Sequence, residues 1–286
     1  MNESSPQISV ALVTRNRPAS LERTLRSLRA QDSAPFEVVV SDDSDENQAA
    51  ATWALAEQFS ARYVRGPRRG LYANRNHVAL ACRGTHIRSM DDDHEFPPGH
   101  WRECETAVAM DPNAIWIIGE FRPGQPVVLP MVSPGQLNGR GFSSPVEDRQ
   151  NSWAISDGAS IYPRTVFTDG NRFAEDFKFG AAYLEFGSRL YWLGYRMRLM
   201  EQTWVIHHMD ENNRSFMDRQ MDLASSAFAM FAHALLYQPS LGNWTKCSAE
   251  VVKRLIRARR DSAAHLAAGW RAYARRRAEP RPLRRA

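Results

Sequence analysis

Residues 8–45, ISVALVTRNRPASLERTLRSLRAQDSAPFEVVVSDDSD, decide the fold. The stretch opens with a short apolar, β-branched run. A second such run, FEVVV, precedes its final SDDSD, and both runs predict buried strands. Between them Leu21, Leu25 and Leu28 recur at helical spacing, which predicts an amphipathic helix with Ser20 as its N-cap. The predicted order is strand, helix, strand.

The same alternation continues along the chain. Further helices are predicted at 49–60 and 72–82, and further strands at 61–65, 85–90 and 114–119. Strands that alternate with helices are typical of βαβ units and a largely parallel sheet, which binds ligands outside the carboxyl ends of its strands. The predicted class is therefore α/β, a mixed, mainly parallel, Rossmann-like sheet flanked by helices.

Composition places the chain among ordinary globular proteins. Hydrophobic residues make up 43% of the 286 residues and charged residues 24%, without an apolar run long enough to span a membrane. The N-terminus lacks the pattern of a secretory signal, which predicts a cytoplasmic protein. Three cysteines without C-x-x-C spacing argue against a disulfide framework and a thiolate zinc site, and predict reduced, structural side chains.

The basic character of the chain belongs to its tail. Residues 253–286 contain 12 Lys and Arg against two acids, a net charge of +10, which leaves −5 for the rest of the +5 chain. Arginines beside Trp270 and Tyr273 would suit docking to an anionic membrane surface. A solvated basic terminus is the alternative, and nucleic acid is not an expected partner.

Three adjacent carboxylates, Asp91–Asp93, follow the predicted strand 85–90. Neighbouring carboxylates repel one another, so a cation between them would justify their position. Alternate residues of an extended chain face the same side, which lets Asp91 and Asp93 both point at one Mg²⁺ or Mn²⁺, or one at the metal and one at a ribose. The alternative is a solvated acidic turn.

The order of these segments resembles the large family-2-type inverting glycosyltransferases with the GT-A fold. The resemblance rests on four pieces within residues 7–100, namely ISVALVTRNRP, VVVSDDSD, RGLYANRNHVALA and MDDD, the last matching the D-x-D motif. It implies transfer of a sugar from a nucleotide diphosphate donor, most simply a UDP-sugar, to an acceptor such as a lipid-linked glycan or a small metabolite. It also implies a divalent cation, Mn²⁺ or Mg²⁺.

The resemblance assigns roles to matching positions. Asp42 would hold the base or ribose, and Arg75 would lie near the base and diphosphate. Thr14 and Arg15 would line the same pocket, together with Asp91 and Asp92. Asp93 would bind the metal that bridges the phosphates.

A histidine also follows the predicted strand TWVI, where relatives often carry a metal ligand. His207 is the better candidate, because adjacent strand residues such as His207 and His208 point to opposite faces. A purely structural histidine is the alternative.

The acceptor segment departs from the family pattern. Relatives carry an acidic pair there, whereas this chain has Ala182 and Tyr183, and only the later acid, Glu185, remains. An inverting transfer needs a carboxylate to take the acceptor's proton, so Glu185 is the predicted base, with Asp176 and Glu175 in reserve. The alternative for Glu185 is an ion pair with Arg189, four residues on.

The predicted organisation is a catalytic domain over 1–215 and a helical extension with the basic tail over 216–286. Within the first, about 7–100 form the nucleotide-binding half and about 101–215 the acceptor half. The Pro- and Gly-rich stretch 122–149 is predicted to be a loop that covers the site. Two other functions stay open: a non-catalytic sugar- or nucleotide-binding homologue, and a nucleotidyltransferase, which would usually carry a glycine-rich phosphate loop that TRNRP lacks.

Overall fold

The computed structural model describes residues 6–127, 136–144, 155, 157–209, 216–257, 261–280 and 284–285. The chain forms two compact units that interleave along the sequence. The first takes in the described parts of 1–133, 156–172 and 197–209, and the second those of 134–155, 173–196 and 210–286. This division differs from the single predicted boundary at residue 215.

The first unit contains one eight-stranded sheet with helices. Its elements are β1 (Ile8–Thr14), α1 (Pro18–Arg29), β2 (Glu37–Asp42), α2 (Glu46–Gln58), β3 (Arg62–Arg65), α3 (Leu71–Ala81), β4 (His86–Asp91), β5 (His94–Glu95), α4 (His100–Met110), β6 (Ile115–Phe121), β9 (Ser160–Pro163), α5 (Thr165–Thr168) and β10 (Met197–His207). The strand order is β3-β2-β1-β4-β9-β6-β10-β5. Strands β9 and β5 pair antiparallel with their neighbours and the remaining pairs are parallel, which confirms the mixed, mainly parallel sheet.

Helix α1 begins earlier than the sequence predicted. Pro18 occupies the first turn and Arg17 is the N-cap residue, so Ser20 lies inside the helix rather than at its cap. Proline suits this position because its φ is already helical and the missing N–H would have no partner there. Leu21, Leu25 and Leu28 are buried as predicted and pack into the core of the sheet with Val10, Leu12, Val40 and Trp101.

The second unit is mainly helical. Its elements are the hairpin β7 (Gln136–Leu137) and β8 (Ser143–Ser144), α6 (Ala182–Trp192), α7 (Phe216–Ala232) with a π-helical turn at His233–Tyr237, α8 (Leu241–Arg257) and α9 (Asp261–Ala278). The helix predicted over 250–273 is thus two helices. Gly269 lets α9 approach α7, because an added Cβ would lie 2.7 Å from the Cβ of Ala227.

The segment predicted as a covering loop is described only in part. Of residues 122–149, those at 128–135 and 145–149 lie outside the described residues, and the remainder includes the β7–β8 hairpin. The three cysteines are free and buried, in agreement with a structural role. Within the described part of the chain, no helix is both long and apolar enough to cross a membrane.

Candidate functional site

Parallel pairing brings the predicted donor residues to one edge of the first unit. Thr14 pairs with Asp42 across β1 and β2, and Val13 pairs with Asp91 across β1 and β4. The carboxyl ends of the three strands therefore lie side by side. The Thr14 hydroxyl donates a hydrogen bond of 2.6 Å to Asp92 Oδ2, which is buried. Thr14 thus contacts the acidic cluster, and its place in a nucleotide pocket stays a prediction.

Arg17 neutralises two of the three clustered carboxylates. Its guanidinium pairs with Asp92 and, at 2.9 Å, with Asp93 Oδ2, while 37% of its side chain stays exposed. Burial, opposed by the Arg17 charge, raises the pKa of Asp92 to about 7. The family resemblance pointed to Arg15, which is exposed, and not to Arg17. Arg17 could have been named from the sequence, since both arginines belong to the TRNRP turn.

His207 lies between two carboxylates at the end of β10. Its Nε2 lies 3.3 Å from Asp93 Oδ1, and its Nδ1 lies 2.9 Å from Glu120 Oε2. Burial opposes protonation, but the hydrogen bonds to Asp93 and Glu120 raise the pKa of His207 to about 10. His208 instead contacts Glu95 at 2.7 Å. The two histidines therefore have separate partners, as expected for adjacent residues on a strand.

His94 faces His207 across an antiparallel strand pair. The two residues are directly opposite in the β5–β10 register, and their ring centroids are 4.9 Å apart. His94 is fully buried, and neither ring nitrogen has a hydrogen-bond partner among the described residues. Burial lowers its pKa to about 4, which keeps the imidazole neutral. A neutral, buried imidazole without a partner is costly unless something else accepts its lone pair.

Asp93, His94 and His207 form a set suited to a divalent cation. One ligand atom from each lies within 4.8 Å of the others. The set offers a carboxylate and two imidazoles, and Glu120 stands behind His207 as the outer partner that metal-bound histidines usually have. Sequence analysis had Asp93 and His207 but missed His94, although it directly follows the D-x-D motif.

Arg75 is a buried clamp between two acids. Its Nη2 lies 2.9 Å from both Asp91 Oδ1 and Asp157 Oδ1, and only 2% of its side chain is exposed. Burial and the nearby charge of Asp91 raise the pKa of Asp157 to about 7 against the effect of Arg75. Gly158 lets this loop approach, because a Cβ there would overlap the Asp91 carboxylate. The sequence analysis did not name Asp157, which precedes a small-residue segment.

Asp42 is enclosed at the end of β2. Its carboxylate is fully buried and accepts hydrogen bonds from the Ser44 amide at 2.8 Å and the Tyr63 hydroxyl at 3.0 Å. The neighbouring Asp43 accepts from the Arg68 amide at 2.8 Å, and burial raises its pKa. Asp42 therefore shapes the loop after β2, and its contact with a base or ribose stays a prediction.

Glu185 belongs to the second unit, on α6. It is fully buried, and its Oε1 lies 3.0 Å from Arg189 Nε and 3.3 Å from Arg276 Nε, with the Tyr237 hydroxyl as a further donor. Burial opposes ionisation, but the two arginines lower the pKa of Glu185. This is the geometry of a structural ion pair, the alternative that the sequence left open. The reserve candidate Asp176 pairs with Arg275.

Comparisons with known proteins identify the family of this chain. The family model for glycosyl transferase family 2 matches residues 9–170. An uncharacterized protein of Mycobacterium tuberculosis, MT1568, is 36% identical over 100 residues, which are 35% of this chain and 31% of that protein. The match thus spans about a third of the length of this curated relative.

Solved structures show the same fold at low identity. S. aureus TarS, residues 1–349 in complex with UDP-GlcNAc, has a TM-score of 0.66 and 15% identity, covering 92% of this chain and 79% of that one. The mannosyltransferase PcManGT of Pyrobaculum calidifontis, in complex with GDP-Man and Mn²⁺, has a TM-score of 0.60 and 18% identity, covering 94% and 81%. These likenesses support the GT-A architecture of the sheet.

Proposed function

Because this chain belongs to glycosyl transferase family 2, we propose that it transfers a sugar from a nucleoside diphosphate sugar to an acceptor hydroxyl. The observation that carries the proposal is the meeting of Asp93, His94 and His207 at the carboxyl edge of the sheet. Ligands of open α/β sheets bind at this edge. Inversion by a single in-line displacement follows from the family resemblance.

The donor-binding part of the proposal rests on the first unit alone. Thr14, Asp42, Asp91 and Asp92 lie at the ends of three adjacent strands, and the exposed Arg15 follows Thr14 directly. In this proposal they hold the nucleoside, with Arg75 fixing Asp91 in place. Similar folds hold UDP-GlcNAc and GDP-Man, which makes uridine and guanosine nucleotides the first donors to test.

The proposed cofactor is a divalent cation held by Asp93, His94 and His207. Two imidazoles and one carboxylate suit Mn²⁺ better than Mg²⁺, which prefers oxygen ligands. Such a cation supplies positive charge that offsets the charge of the leaving diphosphate. Glu120 would orient His207 through its Nδ1, and Arg17 would provide a second positive charge beside the same carboxylates.

The proton of the acceptor needs a carboxylate with an accessible oxygen. Of the side chain of Asp157, 24% is exposed although its Oδ1 is buried beside Arg75, whereas Glu185 is completely buried between two arginines. A pKa of about 7 also suits a general base at neutral pH better than the lowered pKa of Glu185. We therefore place the base at Asp157 and give Glu185 a structural role.

A thermal-shift screen tests the donor site without knowledge of the acceptor. The purified chain is melted with UDP, GDP or dTDP, each with and without Mn²⁺, and the series is repeated on Asp93→Asn. A ligand that binds only the folded state raises Tm by mass action. We expect a Mn²⁺-dependent rise with one nucleotide that the variant loses. Absence of a rise with every nucleotide would contradict the proposed function.

A further inference from the structure

Helix α8 turns its apolar side toward solvent. Leu241, Trp244, Val252, Leu255 and Ile256 are 76%, 49%, 53%, 50% and 79% exposed. At 100° per residue these five positions fall within about 60° on either side of Leu241, so they form one continuous stripe. We call these five residues the α8 stripe.

The opposite side of α8 is polar and buried. Cys247 and Glu250 are each 4% exposed, and Glu250 pairs with Arg254 at 3.2 Å and with Lys253 at 3.5 Å. A surface helix normally buries its apolar stripe and exposes its charges. In α8 the apolar stripe is exposed and the acid Glu250 is buried, and a continuous exposed apolar surface is typical of an interaction site.

The charge beside the α8 stripe is positive. Helix α8 has four basic residues and one acid, and that acid is the buried, paired Glu250. Lys246 is exposed, and Lys253 keeps 42% of its side chain exposed. Residues 258–260, Ala-Arg-Arg, add two more basic residues to the sequence directly after the helix. An apolar face with Trp and Leu on a helix that also carries exposed lysines is the pattern of a helix that lies in a membrane interface.

The same charges disfavour a second copy of this chain as the occupant. A two-fold interface places the same patch of both subunits face to face, so the basic residues beside the α8 stripe would meet their own copies. An anionic lipid surface instead attracts them. We propose that α8 docks on an anionic bilayer, with the α8 stripe at the boundary between headgroups and acyl chains. This inference is independent of the proposed function.

The proposal places the membrane contact on α8 rather than on the two aromatic residues expected from the sequence. Tyr273 is only 3% exposed, whereas Trp270 keeps 48% of its surface exposed. Tyr273 packs against Trp270, with ring centroids 4.9 Å apart, and Trp270 packs edge-on against Phe231 of α7 at 5.2 Å. These rings hold α9 against α7.

Vesicle sedimentation of the full chain tests the proposal. Vesicles of phosphatidylcholine alone are compared with vesicles of equal parts phosphatidylcholine and phosphatidylglycerol, at low and high salt. We expect binding to the anionic vesicles that falls with salt. The double variant Leu255→Ser, Ile256→Ser should bind about tenfold or more weakly, because two exposed apolar side chains are lost. The control Met110→Ser, a 65% exposed residue of the first unit, should bind like wild type.

Two results would overturn the proposal. The first is the absence of binding to anionic vesicles, equal binding to both vesicle types, or equal binding of wild type and the double variant. The second is a concentration-dependent dimer in light scattering that the double variant dissociates, since the α8 stripe would then be covered by a second copy. Unchanged Tm of the double variant, expected for exposed positions, verifies that the fold survives.

Discussion

His94 lies directly opposite His207 on the antiparallel strands β5 and β10, and the ring centroids are 4.9 Å apart. Opposed residues of an antiparallel pair have side chains on the same face of the sheet. One imidazole is paired with two carboxylates and has a raised pKa, whereas the other has no partner among the described residues and a lowered pKa. This asymmetry predicts opposite consequences for removing His94 and for titrating His207.

The first prediction concerns two effects of His94, its effect on protein stability and its effect on Mn²⁺ affinity. His94→Leu should leave the metal-free protein at least as stable as wild type, because a buried imidazole without a partner costs free energy. The variant should bind Mn²⁺ about tenfold or more weakly than wild type. Loss of an outer-shell partner alone already lowers metal affinity by about tenfold or more, and His94 is a proposed direct ligand. Urea denaturation and Mn²⁺ titration by electron paramagnetic resonance measure the two effects.

His208→Leu is the matched control for His94. It removes a neighbouring imidazole that pairs with Glu95 and should not change Mn²⁺ affinity. Equal Mn²⁺ affinity of His94→Leu and wild type would remove His94 from the cation site.

The second prediction concerns the proton released when Mn²⁺ binds and the pH dependence of the Mn²⁺ affinity. His207 is protonated at neutral pH in the metal-free protein, since its pKa is raised to about 10. An imidazole must be neutral to bind a metal, so Mn²⁺ binding should release one proton, and affinity should rise about tenfold per unit between about pH 7 and 9. Calorimetry in buffers of different ionisation enthalpy counts the proton. A pH-independent affinity without proton release would show that His207 is not a ligand.

The third prediction gives Glu185 a structural role. Glu185→Gln removes the carboxylate that pairs with the buried Arg189 and with Arg276, which should cost about 3–5 kcal/mol in the free energy of unfolding. The exposed Glu57→Gln should change it by less than about 0.5 kcal/mol. Chemical denaturation measures both variants, and equal stability would argue for a free, catalytic Glu185.

The lowered pKa of Glu185 also predicts a pH effect on stability. A carboxyl group with a lowered folded-state pKa stabilises fully above the unfolded value of about 4.3 and loses this contribution as pH falls through the folded value. Wild type should therefore lose stability on acidification below about pH 4.3, and Glu185→Gln should lose less. Parallel acid titrations of the two proteins would contradict the prediction.

The fourth prediction compares the two candidate bases. Asp157→Asn should lower kcat for sugar transfer by about 10²–10⁴, the usual contribution of a general base. Glu185→Gln, measured per folded molecule, should keep most of its activity. Nucleotide binding in the thermal-shift screen should survive in both variants. A larger loss of kcat in Glu185→Gln than in Asp157→Asn would identify Glu185 as the general base.

The family resemblance named Thr14, Asp42 and His207 as site residues, and the sheet accounts for where the first two lie. Thr14 and Asp42 end apolar strand patterns, and parallel pairing brings their strand ends together without further information. His207 was named because it follows a predicted strand at a place where relatives of the resembled family often carry a metal ligand. Ser20 was misplaced by three residues because Pro18 suits the first turn as well as a serine suits a cap.

The residues that the sequence did not reveal reach the site through pairing of strands that are far apart in the chain. His94 reaches the site only because the two-residue strand β5 pairs antiparallel with β10, more than a hundred residues later. Asp157 reaches Arg75 through the loop before β9, an antiparallel insertion between β4 and β6. Neither pairing has a periodicity that sequence patterns can detect. The buried pairing of Glu185 with Arg276 joins helices far apart in the chain, and only the nearer partner, Arg189, was predictable from spacing.

The most direct measurement is release of nucleoside diphosphate from nucleotide sugars, with water as acceptor. The chain is incubated with UDP-GlcNAc or GDP-Man, with Mn²⁺ or with a chelator, beside the Asp93→Asn variant. We predict Mn²⁺-dependent release from one donor, abolished by the chelator and by the variant while circular dichroism shows an intact fold. Equal release by wild type with Mn²⁺, by wild type with the chelator and by the variant would contradict a metal-dependent glycosyltransferase. So would the absence of release from every donor that binds in the thermal-shift screen.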